Sequence, residues 1–331
     1  MIKLNGFATF CLQGPRDNQE DYIMPQLHPG TSPAEAGRVW VLCDGMGGHG
    51  HGEVASELVA RSVYKRLAAL PLNEDIDRQD IQQASDMANE ELAAADVFHD
   101  SRPMGTTLVV AVLNSNGILV AHAGDSRCYL IGADGKIKFR SADHSVVGQA
   151  LAAGILTEEE AFTSSRRNEI TRCLTSVSSA VPLDFTELTD IEPDDILLMC
   201  SDGVHDVLRD LEISTLLSGT TSCEEKAAAL EKAVMKSPVD NTSAILLSPV
   251  FSGGHVGKSR RPLMVAVLTL AVLAGAAGFF YMTRSMSPEK QLPLPVTPAR
   301  LPDSAAVDSA RADTITGVAP KLTDTIQNTD S

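Results

Sequence analysis

Short, nearly unbroken apolar runs alternate with polar stretches through the first 250 residues. The runs at 7–12, 39–43, 107–113, 118–122, 127–131, 196–200 and 244–247 have the length and branched-chain content of strands. Residues 114–117 separate two of them with an Asn/Gly turn, a hairpin signal. Three stretches instead carry a helical period. Residues 53–70 place Val54, Leu58, Val63 and Leu67 on one side. Residues 79–96 point Ile81, Met87, Leu92 and Ala95 inward, and residues 223–235 form a third helix. Strand pairs joined by short turns, with helices in separate blocks, predict an α+β domain with antiparallel sheets. No repeat of fixed period is present.

The pattern changes after residue 250. A glycine-rich linker leads to residues 263–282, twenty residues without a charge. At ~1.5 Å per residue a helix of that length spans roughly 30 Å, the hydrocarbon thickness of a bilayer. Phe279, Phe280 and Tyr281 stand at one end, as interfacial aromatics do. Lys258, Arg260 and Arg261 precede the segment and Arg284 follows it, so the positive-inside bias places the N-terminal side in the cytoplasm. Residues 283–331 are rich in Pro, Ser, Thr and Asp and cannot bury a core. The expected order is a folded domain (1–250), a linker (251–262), a transmembrane helix (263–282) and a disordered tail outside the membrane. No secretory signal peptide is visible at the N-terminus.

The 331 residues carry 27 basic and 43 acidic side chains. Residues 1–250 hold 19 and 37 of these, so the acidity belongs to the folded part. Phosphate repulsion then argues against a general nucleic-acid binder. The cysteines at 11, 43, 128, 173, 200 and 223 form no C-x-x-C pair and read as free thiols of a reducing compartment.

The informative acids stand where apolar strands meet loops. Asp44-Gly45 follows one strand, Asp125 follows Gly124, and Ser201-Asp202-Gly203 follows another. Asp240 precedes the last strand, and Asp21 closes the segment that begins at Arg16. One Asp-Gly is ordinary turn chemistry. Several, each at the end of a strand that must be buried, would repel one another unless cations neutralise them. Oxygen ligands without His or Cys suit Mg²⁺ or Mn²⁺. Two such ions can share one water, lower its pKa and aim it at phosphorus. Arg16 adds a planar cationic fork for phosphate oxygens.

Eight segments then occur in order: Arg16-Asp-Asn-Gln-Glu-Asp21, Val41-Leu-Cys-Asp-Gly-Met-Gly-Gly-His49, Met104-Gly-Thr-Thr107, Ala123-Gly-Asp-Ser-Arg127, Asp143-His-Ser145, Asn168-Glu-Ile-Thr-Arg172, Leu198-Met-Cys-Ser-Asp-Gly203 and Asp240-Asn241. In these the sequence resembles the metal-dependent serine/threonine phosphatases of the protein phosphatase type 2C family, in their bacterial form. The resemblance covers residues 14–248. It implies two antiparallel sheets packed face to face and flanked by helices, a four-layer sandwich. It implies Mn²⁺ or Mg²⁺ as cofactor, two core ions and a third. Asp44 would bridge the core ions and the Gly45 carbonyl would bind one. Asp202 and Asp240 would hold the other. Asp21 would act through water, with Glu20 nearby, and Asp125 would join Asp202 at the third site. Arg16 would bind the substrate phosphate, and Thr106 and Thr107 would shape the site. Residues 146–170 fall where the family carries a flap beside the site. Some members have a histidine after the Asp-Gly, proposed as general acid; here Met46 stands there, as is common in bacterial members.

Gly45-Met-Gly-Gly-His-Gly50 also satisfies a dinucleotide-binding G-x-G-x-x-G. Asp44 would press a carboxylate towards the pyrophosphate, and no second apolar strand ending in an acid follows the helix. The remaining alternative is a phosphatase relic, a membrane-tethered adaptor that binds phosphoproteins without turnover. The expected partners are Ser/Thr-phosphorylated proteins, a kinase among them, at the bacterial inner membrane.

Overall fold

A computed structural model describes residues 2–47, 51–96, 103–178 and 180–251. The strands are β1 (Ile2–Leu12), β2 (Asp21–Met24), β3 (Val39–Met46), β4 (Gly105–Thr106), β5 (Leu108–Leu113), β6 (Ile118–Ala123), β7 (Arg127–Ile131), β8 (Ile137–Arg140), β9 (Leu174–Thr175), β10 (Asp184–Leu188), β11 (Ile196–Cys200) and β12 (Thr242–Phe251). The helices are α1 (His51–Ala68), α2 (Arg78–Ala95), α3 (Val146–Ala152), α4 (Glu158–Thr163), α5 (Asp202–His205), α6 (Asp210–Leu217) and α7 (Cys223–Val234).

The strands form two antiparallel sheets. One runs β1-β12-β11-β7-β8. The other runs β10-β6-β5-β3-β4-β9, with β2 also paired to β3. Side chains alternate between faces along each strand. In β5, Val109, Ala111 and Leu113 enter the core between the sheets, while Leu108, Val110 and Val112 meet the helical side. Both faces are buried, which is why the run is apolar without alternation. The inter-sheet core also takes Trp40 and Leu42 from one sheet and Leu197, Met199, Ile245 and Leu247 from the other. A second core lies between the larger sheet and α1 and α2. A third lies between the smaller sheet and α5, α6 and α7. The order of layers is therefore helix, sheet, sheet, helix.

Two helix faces differ from the hydropathy expectation. In α1, Val54 points outward, and the buried positions include Ala55, Val59, Ala60, Val63 and Leu67. In α2, Met87 and Ala95 are exposed while Ile81, Ala84, Ala88 and Leu92 are buried. Alanine at the contact lets a helix lie close to its neighbours, so the small residues face inward. Five short strands, β2, β4, β8, β9 and β10, and the helices α3 to α6 carry too little periodicity to be read from sequence.

The predicted linker beyond Phe251, the segment 263–282 and the tail lie outside the described residues. Among the described residues no helix is long and apolar enough to cross a membrane.

The registers gather one set of strand ends. Asp21 pairs with Asp44 across β2 and β3. Cys200 pairs with both Ala244 and Arg127, placing the end of β11 beside the starts of β12 and β7. Leu108 pairs with Ala123 at the end of β6.

Trp40, the single tryptophan, is fully buried between the sheets, its ring 5.6 Å from that of Phe7 at 47°. Trp40→Ala should cost about 3–5 kcal/mol through lost burial and the cavity left behind. Urea unfolding followed by far-ultraviolet circular dichroism measures this. A loss below about 1 kcal/mol would mean that the sheets do not close over this side chain.

Candidate active site

The site is built on that shared end. Asp44 lies inside β3 rather than after it, because the strand continues to Met46 and pairs with Gly105. Its backbone is held on both sides. Its N–H donates to Thr107 Oγ1 at 3.0 Å, and its carbonyl accepts from Thr107 N–H and Thr106 Oγ1, each at 2.9 Å. Both threonines are fully buried and act through the backbone of Asp44. Gly45 donates to the Glu20 carbonyl at 2.9 Å. A Cβ on Gly45 would lie 2.0 Å from the Gly52 carbonyl oxygen, so only glycine allows β3 and α1 to approach this closely.

Asp21 opens β2 and is buried. Ser201 Oγ donates to its Oδ2 at 2.8 Å and in turn accepts from Ser243 N–H at 3.0 Å. Asp202 is the first residue of α5. A Cβ on Gly203 would fall 2.0 Å from the Asn241 carbonyl, which again demands glycine. Asp240 precedes β12 and forms an ion pair with Arg16. Asn241 fastens the loop that carries Arg16. Its Oδ1 accepts from Glu20 N–H at 2.8 Å, and its Nδ2 donates to the Gln13 and Asn18 carbonyls at 2.7 and 2.9 Å.

Asp125 sits in the turn from β6 to β7, buried. The turn is clasped by two histidines to which the sequence assigned no role. Gly124 N–H donates to His144 Nδ1 at 3.1 Å, and His144 N–H donates back to Gly124 O at 2.9 Å. His205 Nε2 lies 3.1 Å from the Asp125 carbonyl. Burial first, then Arg127, pushes His205 down to about 3, so its ring is neutral and serves as a hydrogen-bond partner, not an acid. The one available signal was its place three residues after Asp202, on the same helical face.

The electrostatics follow from crowding. Burial first, then Asp202, Asp21, Asp125 and Asp240, pushes the Asp44 carboxyl well above the usual range. Burial, then Asp125, Asp206, Asp240 and Asp21, does the same to Asp202. Asp21 rises to about 7, chiefly by burial, with the Ser201 and Ser243 hydroxyls opposing and Asp240 and Glu20 adding. Asp125 also rises to about 7, by burial and then Asp143. Asp206, which the sequence reading missed, is raised by burial despite its ion pair with Arg167. Among the described residues, Asp21 Oδ1 and Asp125 Oδ1 are buried without a hydrogen-bond partner. Buried acceptors of this kind ordinarily have one. An all-oxygen, strongly anionic set with unpartnered lone pairs fits hard divalent cations such as Mn²⁺ or Mg²⁺.

A family model described as protein phosphatase 2C matches residues 26–236. The chain belongs to the protein phosphatase 2C family. It is 33% identical over 214 residues to the serine/threonine phosphatase stp of Listeria welshimeri serovar 6b, covering 62% of this chain and 82% of that protein. The solved structure of serine/threonine phosphatase Stp1 from Staphylococcus aureus superposes with a TM-score of 0.63 at 30% identity, covering 76% of this chain and 96% of that one. The catalytic domain of the serine/threonine phosphatase PstP, solved with two manganese ions, gives 0.62 at 28% identity and covers 76% and 100%.

Asp21, Asp44, Asp125, Asp202 and Asp240 lie near enough to act on one another electrostatically. A separate group, His122, His144 and Asp184, brings donor atoms within 4.8 Å of one another. Its hydrogen bonds are already allotted. Gly124 N–H donates to His144 Nδ1, and His144 Nε2 lies 3.1 Å from both Asp184 Oδ2 and Arg172 Nη1. Arg172 Nη1 reaches Asp184 Oδ1 at 2.5 Å. A cation there would have to displace the Arg172 guanidinium, which already contacts His144 Nε2 and Asp184. This group is the bracket that holds the Gly124–Asp125 turn.

The raised carboxyls predict a pH dependence. In the ion-free fold they keep protons that the unfolded chain releases above a pH of about 4. Stability therefore falls as pH rises from about 4 through about 7, the window set by Asp21 and Asp125. The Tm of chelator-treated protein should drop between pH 5 and pH 8. Mn²⁺ should raise Tm more at pH 8 than at pH 6, since at pH 6 it must displace protons. A Tm indifferent to pH would show that these groups do not share one buried site.

Proposed function

We propose that Asp21, Asp44, Asp125, Asp202 and Asp240, with the Gly45 carbonyl, form the metal centre of this phosphatase, and that Arg16 receives the substrate phosphate. The protein is a metal-dependent protein serine/threonine phosphatase using Mn²⁺ or Mg²⁺. The observation that carries the assignment of residues is the convergence of these carboxylates on one end of the sandwich, with two buried oxygens unpartnered. Divalent ions held there lower the pKa of a bound water and neutralise phosphate charge.

The chain's own groups supply position. The threonine bonds hold Asp44 in place within β3, Ser201 orients Asp21, and the Asn241 amide sets the Arg16 loop against Asp240. The Arg16 guanidinium is half exposed, and its remaining N–H donors are open to phosphate oxygens arriving from solvent. Hydrolysis proceeds by direct attack of water, so no side chain carries the phosphoryl group. Met46 occupies the position of the histidine found in some relatives, so the leaving alkoxide takes its proton from water.

The membrane reading rests on sequence. Residues 263–282 are the anchor, with the catalytic domain in the cytoplasm and residues 283–331 outside a bacterial inner membrane. Anchoring raises the concentration of the domain near membrane-bound phosphoproteins. A Ser/Thr kinase and its substrates are the expected partners.

Phosphate release from a phosphothreonine peptide by the full chain tests the centre. Release should require Mn²⁺ or Mg²⁺ and should fall by about a thousandfold or more in Asp44→Asn and Asp202→Asn, as expected when a ligand of the catalytic ions is lost and with it their stabilisation of transition-state charge. Arg16→Lys should chiefly raise KM, since a point charge replaces a bidentate fork. Metal binding without release by the intact chain would instead identify the adaptor. Alkaline carbonate extraction of membranes tests the anchor: the full chain should stay in the pellet, and a chain lacking 263–282 should not.

A further inference from the structure

Asp125 is the least supported aspartate of the centre. Asp21, Asp44 and Asp202 lie within a strand or a helix. Asp240 lies outside one, but both of its carboxylate oxygens are bonded, one to Arg16 and one to Asn241 N–H at 2.8 Å. Asp125 stands in the turn between β6 and β7, directly after Gly124, with Oδ1 unpartnered. Gly124 has a φ of 116°, and a Cβ there would lie 2.6 Å from the Thr107 side chain. Glycine makes this turn possible but lends it no stiffness, because it has the most conformational freedom to lose. The stiffness has to come from side chains.

His144 supplies much of it. Its ring Nδ1 accepts from Gly124 N–H, and its own N–H donates to the Gly124 carbonyl, so the peptide groups on both sides of Gly124 are fixed. The ring is fixed in turn. It stacks on His122, with centroids 4.7 Å apart and planes 6° from parallel. Its Nε2 meets Asp184 Oδ2 and Arg172 Nη1. Asp184 and Arg172 are themselves an ion pair at 2.5 Å. Asp184 opens β10, the edge strand of the larger sheet, and its side chain is 52% exposed, so no core depends on it. A line of contacts thus runs from the surface, through the ring of His144 and through Gly124, to the backbone of Asp125.

We propose that Asp184 and Arg172 are positioning residues: through His144 they set the affinity for the divalent ion that Asp125 holds, and they leave the affinity for the other ions unchanged. The inference rests on the metal centre proposed above. Groups that orient a metal ligand from behind typically change metal affinity about 10- to 100-fold when removed. Here the effect falls on one ion, because Asp21, Asp44 and Asp240 have supports of their own.

The test is a Mn²⁺ titration of the full chain in detergent, stripped beforehand with chelator and followed by the electron paramagnetic resonance of free Mn²⁺. Asp184→Ala and Arg172→Gln should each weaken one binding step by about tenfold or more and shift the others by less than about twofold. Asp125→Asn should remove the same step. Adding Asp184→Ala to Asp125→Asn should then change nothing further, since both act on one ion. His144→Asn, whose amide oxygen takes the place of Nδ1, should retain more of that step than His144→Ala. A loosened fold would weaken every step and would add to Asp125→Asn, so these readouts separate position from folding.

Unchanged binding in Asp184→Ala and Arg172→Gln overturns the proposal. So does a parallel weakening of all steps, or a further loss on the Asp125→Asn background. Equal losses in His144→Asn and His144→Ala would break the link through Gly124 and overturn it as well. If the intact chain takes up no Mn²⁺, the metal centre itself fails and the proposal falls with it, a result distinct from Mn²⁺ bound alike by every variant.

Discussion

Mutual repulsion among buried carboxylates is the constraint around which this domain is arranged. Asp21 and Asp44 face each other across paired strands, and Asp125, Asp202 and Asp240 converge from three other chain segments. In a low dielectric Asp21, Asp44, Asp125 and Asp202 favour their protonated forms, which is why burial and neighbouring charge raise them together. A fold holds such a set only if the backbone is secured independently of the charges. It also needs something at the centre, protons or cations, to balance them.

The scaffold meets the first condition with hydrogen bonds that bypass the carboxylates. Two threonine hydroxyls hold the backbone of Asp44, Asn241 ties the 13–20 loop to the start of β12 with three hydrogen bonds, and two histidines clasp the turn of Asp125. Behind these bonds stand sheets apolar on both faces, so the strand ends cannot spread without opening a core. Close packing makes the arrangement stiff. Two glycines, Gly45 and Gly203, then permit approaches that any side chain would block. Stability invested in three apolar layers thus maintains a local arrangement that is unfavourable without its ions.

The second condition links stability to function. Protons serve at low pH and divalent ions at neutral pH, so the same electrostatics that destabilise the ion-free fold drive metal affinity. Beside the centre, the helices α3 and α4 line a cleft in which apolar and charged side chains are mixed. Arg209 stacks on Phe162 there and Arg167 pairs with Asp206.

Much of this was legible in the residues alone. Runs apolar at every position announced strands buried on both faces. Aspartates at the ends of several such runs announced a cation centre, because repulsion between buried charges needs no coordinates to be recognised. The eight ordered segments, Arg16 and Met46 among them, carried the family and with it the layer order. The segment 263–282 speaks through length and hydropathy, properties of a chain that do not depend on its folding. What tertiary structure alone decided is who stands beside whom. Strands of two or four residues, such as β4 and β2, exist only because a neighbour supplies their hydrogen bonds. On the inward faces of α1 and α2, Val63, Leu67, Ile81 and Leu92 follow hydropathy, while Ala55, Ala60, Ala84 and Ala88 are there because close approach selects small residues. His144, Ser201 and His205 lie far in sequence from Gly124, Asp21 and Asp125, which they bond, and no spacing rule reaches across such distances. The cleft beside α3 and α4 is a property of the space between elements, and space appears only when the chain has closed around it.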